Sequence, residues 1–187
     1  LKLLIGTVLA LKSTPFKDSE SGCVDISETA LDLRLVLIAR TRRGYGQLSH
    51  LISCARRAAA KGDYWLDRQM VEDNLPEECF ALWLPNSDEA AERYAFQAAW
   101  LQRVFGSNLR LAVQLHLRGD DRGELQRLTR VGERFGIRLC AAGGVLMHEP
   151  SRRVLLDTLT AIRLGRALNK LGYAGEPNNE RHLRDRA

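Results

Sequence analysis

The stretch from Leu109 to Ala142, LRLAVQLHLRGDDRGELQRLTRVGERFGIRLCAA, decides the fold class. Its opening alternates Leu109, Leu111, Val113 and Leu115 against Arg110, Ala112, Gln114 and His116, the period of two that sends successive side chains to opposite faces of a strand. This predicts a strand from Leu109 to Leu117 with His116 at its C-terminal end. From Asp120 to Phe135 the period changes: Leu125, Leu128, Val131 and Phe135 recur at helical spacing and predict an amphipathic helix with those four side chains inward. Gly136 stops it, and Ile137 to Ala142 predicts the next strand. A strand, a helix of that length and a second strand make a βαβ unit.

The same alternation of elements continues on both sides. Cys79 to Leu84 predicts a strand closed by Pro85. Ser87 follows as a helix N-cap with Asp88 and Glu89 behind it, and Ala91, Tyr94, Ala98, Leu101 and Phe105 form one helical face that ends at Gly106. Leu33 to Ala39 predicts a strand, and Gly44 to Ala60 a helix with Leu48, Leu51, Ile52 and Ala55 inward. Arg56 and Arg57 lie near its C-terminal end, where cations complement the helix dipole. A short helical turn is expected around Leu66 to Val71. Leu3 to Leu11 predicts another strand, and Lys12 to Glu28, rich in Ser, Lys, Asp and Gly, a surface excursion. On the C-terminal side, Pro150 to Leu164 predicts a helix burying Val154, Leu155, Leu159 and Ile162. Gly172 to Ala187 is polar, with Pro177, Asn178 and Asn179 marking irregular chain. The expected class is α/β, with mostly parallel strands alternating with helices.

With 187 residues, 45% of them hydrophobic, the chain can bury the core of one ordinary domain. It opens on Leu3-Leu4-Ile5 with no cap or leader, which reads as a cut inside a structural unit. No apolar run approaches the roughly 20 residues of a membrane span, so no membrane partner and a cytoplasmic location are expected. Cys23, Cys54, Cys79 and Cys140 form no Cys-x-x-Cys pair and read as buried or half-buried free thiols. The net charge of +5 is mostly arginine, but 23 acidic residues are interspersed among 28 basic ones. That pattern describes solvated helix faces better than a continuous basic stripe.

Ligands in parallel α/β folds gather at the C-terminal ends of strands. The candidates there are the residues after Val8, His116, and the loop Gly143-Gly144-Val145-Leu146-Met147-His148. The phosphate loops G-x-x-x-x-G-K-[ST] and G-x-G-x-x-G, the elbow G-x-S-x-G and any Asp-x-Asp pair are all absent. Asp120 and Asp121 are explained as first-turn helix residues that satisfy free N–H groups. His116 and His148 form half a metal site if their strands are neighbours, although two histidines without acidic partners rarely hold a catalytic metal. No complete catalytic constellation emerges.

Several longer motifs carry a resemblance. Leu3-Leu4-Ile5-Gly6-Thr7, Leu35-Val36-Leu37-Ile38-Ala39-Arg40, Gly44-Tyr45-Gly46 and Leu51-Ile52 resemble the PHP (polymerase and histidinol phosphatase) domain of bacterial C-family DNA polymerases. The run from Leu156 to Gly165, then Leu171-Gly172-Tyr173-Ala174 and Pro177-Asn178-Asn179-Glu180-Arg181-His182-Leu183-Arg184, resembles the error-prone branch of that family (DnaE-type, ImuC-like). The resemblance covers nearly the whole chain.

It implies an incomplete PHP-type distorted (βα) barrel of about seven units. Residues 1–170 would be a partial PHP domain lacking its first strands, and 171–187 a linker toward the following polymerase domain. Where the family reads Gly-Thr/Ser-Glu this chain has Gly6-Thr7-Val8, and where it reads Gly-Asp-Val-His-Met-His this chain has Gly143-Gly144-Val145-Leu146-Met147-His148. The resemblance therefore implies a degenerate metal site with no catalytic residue and no cofactor of its own. Mg²⁺ and nucleotidyl transfer would belong to the parent polymerase, in DNA replication and damage-induced repair synthesis. The partners implied are the remaining polymerase domains, and DNA through the parent. Arg152, Arg153, Arg163 and Arg166 are the candidates for contacting the polymerase body or DNA phosphates. Two alternatives stand beside this reading: a freestanding PHP-type metal-dependent phosphoesterase, and an inactive remnant of a truncated polymerase gene.

Overall fold

The computed structural model describes residues 3–12, 33–86 and 91–185, with residues 91–93 described in backbone only. Most of the expected surface excursion, the cap at Ser87 with Asp88 and Glu89, and Cys23 lie outside the described residues. Five strands, β1 (Gly6–Leu11), β2 (Leu33–Ala39), β3 (Cys79–Leu84), β4 (Leu109–Val113) and β5 (Arg138–Ala141), form one sheet in the order β1-β2-β3-β4-β5. Among the described residues five α-helices accompany them: α1 (Arg42–Arg57), α2 (Arg68–Asp73), α3 (Ala91–Phe105), α4 (Asp121–Phe135) and α5 (Arg153–Leu164).

The α/β class stands, but the expectation of mostly parallel strands is corrected. The β1/β2 and β2/β3 pairs are antiparallel, and the parallel part begins at β3/β4. The reason lies in the β2–β3 connection. After α1 the chain returns through an extended segment, where Lys12 N donates to Leu66 O, and α2 then leads into β3 at the end where β2 finished; Arg40 N donates to Glu78 O. Hydrophobic period reports strand conformation and carries no information on direction. The sheet of described residues is open, with β1 and β5 at its edges.

The chain divides into two compact units, Leu1–Ala112 with Thr129–Cys140, and Val113–Leu128 with Ala141–Ala187. In the first unit the alternation along the strands buries Leu9, Leu11, Leu33, Leu35, Leu37, Ala81, Trp83, Leu109 and Leu111. The helical stripes meet the same fate: Leu48, Leu51 and Ala55 of α1 and Tyr94, Ala98, Leu101 and Phe105 of α3 are buried. Trp83 and Tyr94 pack with ring centroids 5.6 Å apart. The Thr41 hydroxyl caps α1 by accepting from Gly44 N and also bonds the Glu78 carboxylate. Residue 44 must be glycine, because a Cβ there would overlap the Glu78 carbonyl oxygen. Between α2 and α3, Glu72 accepts from Trp100 Nε1 at 2.6 Å and from Arg103 Nη2 at 2.6 Å. The Arg103 bond, followed by that of Trp100, holds the Glu72 carboxyl below the ordinary glutamate range.

Three departures from expectation fall in the second unit: Leu125 of α4, expected inward, is exposed, and the other two lie on β4 and α5. β4 ends at Val113, short of the expected Leu117, and Leu115 is exposed. Further on, Leu117 takes φ 51°, outside the strand region, and the Asp121 carboxylate accepts from the N–H groups of Leu117 and Arg118 at 2.8 and 3.2 Å. On α5, Val154, Leu155, Leu159 and Ile162 were expected to be buried and are 66, 50, 56 and 71% exposed; of the helix's residues only Ala161 is buried. An apolar stripe marks a face that prefers cover, and the described residues of its own unit do not supply it.

Candidate functional site

In the second unit, the segments following β4 and β5 lie side by side, and Ala142 N donates to Val113 O at 2.9 Å. Leaving β4, the chain places His116 inward, almost fully buried, with Nε2 donating to Gly143 O at 2.9 Å. That bond fixes the imidazole against the β5 loop and commits Nε2, which leaves Nδ1 as the ring nitrogen with a free lone pair. His148 is elsewhere in character: its side chain is exposed, with Nε2 4.0 Å from Glu149 Oε1. Geometry does not make the two histidines a ligand pair.

The C-terminal segment closes this region. Asn178 Nδ2 donates to His116 O at 2.6 Å and to Leu117 O at 3.3 Å, holding the chain where it leaves the strand. Arg181 Nε donates to Gly144 O at 2.7 Å, and its Nη1 pairs with Glu176 at 2.9 Å. Arg181 O accepts from Leu146 N and Met147 N, Met147 O accepts from Leu183 N, and Met147 forms a parallel bridge with His182. Glu176 also pairs with Arg118 at 3.3 Å, and its N–H donates to Asp157 Oδ1 at 3.1 Å. Residues 176–183 thus form a strap across the ends of the two strand loops. Sequence reading took them as irregular chain, as a motif of the resemblance and as part of a linker, and did not see the strap, because a polar segment whose bonds run to distant backbone carbonyls has no period to detect.

The donor set does not fit the metal centre that the family resemblance implies. Gly144 sits at φ +53°, and a Cβ there would meet the Gln114 side chain at 3.0–3.2 Å, so an amide fills the space a ligand carboxylate would need. Leu146 is exposed and apolar, and Val8, on β1 of the first unit, is likewise exposed. Among the described residues no three His, Cys, Asp or Glu side chains are grouped to hold a metal ion. The strap does by hydrogen bonding what a bound ion does by coordination: it ties separate loops together.

A cavity of about 780 Å³ in the second unit is lined by Arg118, Arg153, Asp157, Leu171, Tyr173 and Glu176, among others. Arg153 Nε lies 3.6 Å from Asp157 Oδ2, beyond hydrogen-bond reach, and is buried with no hydrogen-bond partner. Of the other candidate arginines, Arg152 pairs with Glu149 at 3.2 Å, and Arg163 and Arg166 are exposed at the C-terminal end of α5. The four lie on or beside one helix without forming a continuous basic stripe. In the first unit, Cys54 Sγ is 3.6 Å from His50 Nε2 and 3.8 Å from Asn74 Oδ1, and Cys79 is buried. Burial, then Glu78, pushes the Cys79 thiol up.

No helix among the described residues is long and apolar enough to cross a membrane. No family model matches the chain. Its similarity is to error-prone DNA polymerases: that of Methylococcus capsulatus (strain ATCC 33009 / NCIMB 11132 / Bath) is 48% identical over 151 residues, 81% of this chain and 14% of the polymerase. That of Alkalilimnicola ehrlichii (strain ATCC BAA-1101 / DSM 17681 / MLHE-1) is 47% identical over 150 residues, 80% and 14%. That of Azoarcus sp. (strain BH72) is 45% identical over 159 residues, 83% and 15%. The chain spans about one seventh of the length of these relatives. At identities of this order over four fifths of its own residues, the chain is homologous to a segment of about 150 residues of error-prone DNA polymerases.

Proposed function

We propose that this chain is a non-catalytic, PHP-type segment of an error-prone DNA polymerase that serves as a scaffold packed against the polymerase body. The observation that carries the reading is the strap at the ends of β4 and β5. His116 Nε2 is bonded to Gly143 O, Arg181 to Gly144 O and Asn178 to His116 O, so the loop that carries Gly144 and Leu146, two positions where the family resemblance implies lost ligands, is tied down by protein groups. Gly6-Thr7-Val8 and Gly143-Gly144-Val145-Leu146 supply neither carboxylate nor imidazole. Nucleotidyl transfer and its Mg²⁺ belong, on this reading, to other domains of the parent, and contact with DNA passes through them.

The test is a hybrid in which this chain replaces the matched segment of the Methylococcus capsulatus polymerase. The expected result is primer extension close to that of the unaltered relative. A folded hybrid that cannot extend a primer counts against the reading.

A further inference from the structure

We propose that the bare apolar ridge of α5, together with the groove beside it, is the seat for an apolar element of the polymerase lying outside the matched segment, and that this element brings a carboxylate to Arg153. The inference rests on the scaffold reading above and adds the surface and the chemistry of what covers it.

Three observations converge. Val154, Leu155, Leu159 and Ile162 stand on one side of the helix, each half or more exposed. Soluble proteins rarely leave contiguous apolar patches beyond a few hundred Å² uncovered, and four such side chains approach that scale. The adjoining cavity of about 780 Å³ continues the surface, since Val154 lines it together with Leu168, Leu171 and Tyr173. Its polar wall is incomplete. Arg153 Nε is buried with no hydrogen-bond partner, because Asp157 stands 3.6 Å away and spends Oδ1 on Glu176 N. The Arg153 side chain is itself 41% exposed, so a carboxylate on the arriving element can reach the outer guanidinium nitrogens and complete the charge pairing that Asp157 gives only at 3.6 Å. Arg152, Arg163 and Arg166 border the ridge and favour an acidic rim on the same element. The occupant is sought in the polymerase because the matched segment is only 14% of the relatives' length, which leaves the greater part of that protein available to cover the ridge.

Hydrogen exchange on the 187-residue chain and on the hybrid polymerase tests this directly. In the hybrid, the α5 amides should exchange at least about tenfold more slowly than in the free chain. The Leu159→Glu, Ile162→Glu double variant and, separately, Arg153→Met should remove that protection. Because Leu159 and Ile162 are surface residues of the free chain, its urea midpoint serves as the folding control for the double variant. Exchange of α5 in the hybrid as fast as in the free chain overturns the proposal. So does protection in the free chain that rises with its concentration to the hybrid level, which assigns the ridge to a second copy. Primer extension reports separately on the scaffold reading: an active hybrid with an unprotected α5 sinks only the docking surface, whereas an inactive one sinks the reading on which it rests.

Discussion

Gly44 illustrates how a single side chain decides a local fold. The first turn of α1 passes so close to the start of β3 that a Cβ at this position would overlap the Glu78 carbonyl, and Cys79 Sγ donates to Gly44 O at 3.4 Å across the same contact. We expect Gly44→Ala to cost about 1–3 kcal/mol, the usual range for overpacking a tight contact, measurable as a lower urea midpoint. An unchanged midpoint would mean that α1 shifts freely on the sheet. Glu72 sets a pH dependence. Its folded-state pKa is depressed, chiefly by Arg103 and then by Trp100, so its contribution is present above the ordinary glutamate value and is lost as pH falls through the lower folded value. Glu72→Gln should therefore flatten the acid limb of stability in urea titrations between about pH 6 and about pH 3. An acid limb as steep as that of the unaltered chain would show that the Trp100 and Arg103 contacts do not hold the carboxylate.

At the scale of elements, legibility followed locality. β2 and β3 were readable to the residue because alternation and their bounding residues are local signals, and α3 declared its buried face through Tyr94, Ala98, Leu101 and Phe105. The antiparallel entry into β3 was not readable, since it depends on where the segment before α2 returns along the sheet. Nor was the early end of β4, beyond which Asp121 caps two N–H groups at a residue with positive φ. At the candidate site, sequence drew attention to His116 and the Gly143–His148 loop but missed that Asn178 and Arg181 hold them, because those bonds span 62 and 37 residues. Removing the strap tests its weight. Arg181→Ala should lose about 2 kcal/mol, the range of hydrogen bonds from charged donors, and speed hydrogen exchange at Leu146 and Met147. Arg181→Lys should not restore it, because a single ammonium cannot reach both Gly144 O and Glu176 with the geometry of a guanidinium fork. Full rescue by lysine would reduce the strap to a charge effect.

For the whole molecule, exposed apolar side chains on α5 and at Leu117 imply weak self-association of the chain when alone, too weak to give α5 the protection expected in the hybrid. Light scattering should show mass rising with concentration, and a monodisperse monomer throughout would show that these faces tolerate water. DNA binding should be weak, with a dissociation constant no tighter than about 10⁻⁴ to 10⁻⁶ M near physiological salt, because Glu149 and Asp157 interrupt the arginines of α5. Fluorescence anisotropy over several salt concentrations measures it, and nanomolar affinity lost in an Arg152→Ala, Arg153→Ala variant would make this surface a DNA-binding element. The central claim, that the ends of β4 and β5 are held by protein groups and perform no metal chemistry, meets its most direct test in turnover. The purified chain is assayed on a chromogenic phosphate ester and on single-stranded DNA with Mn²⁺ and with Zn²⁺. The account predicts no metal-dependent hydrolysis of either substrate, and metal-dependent turnover that co-purifies with the chain and is lost on His116→Ala or His148→Ala would contradict it.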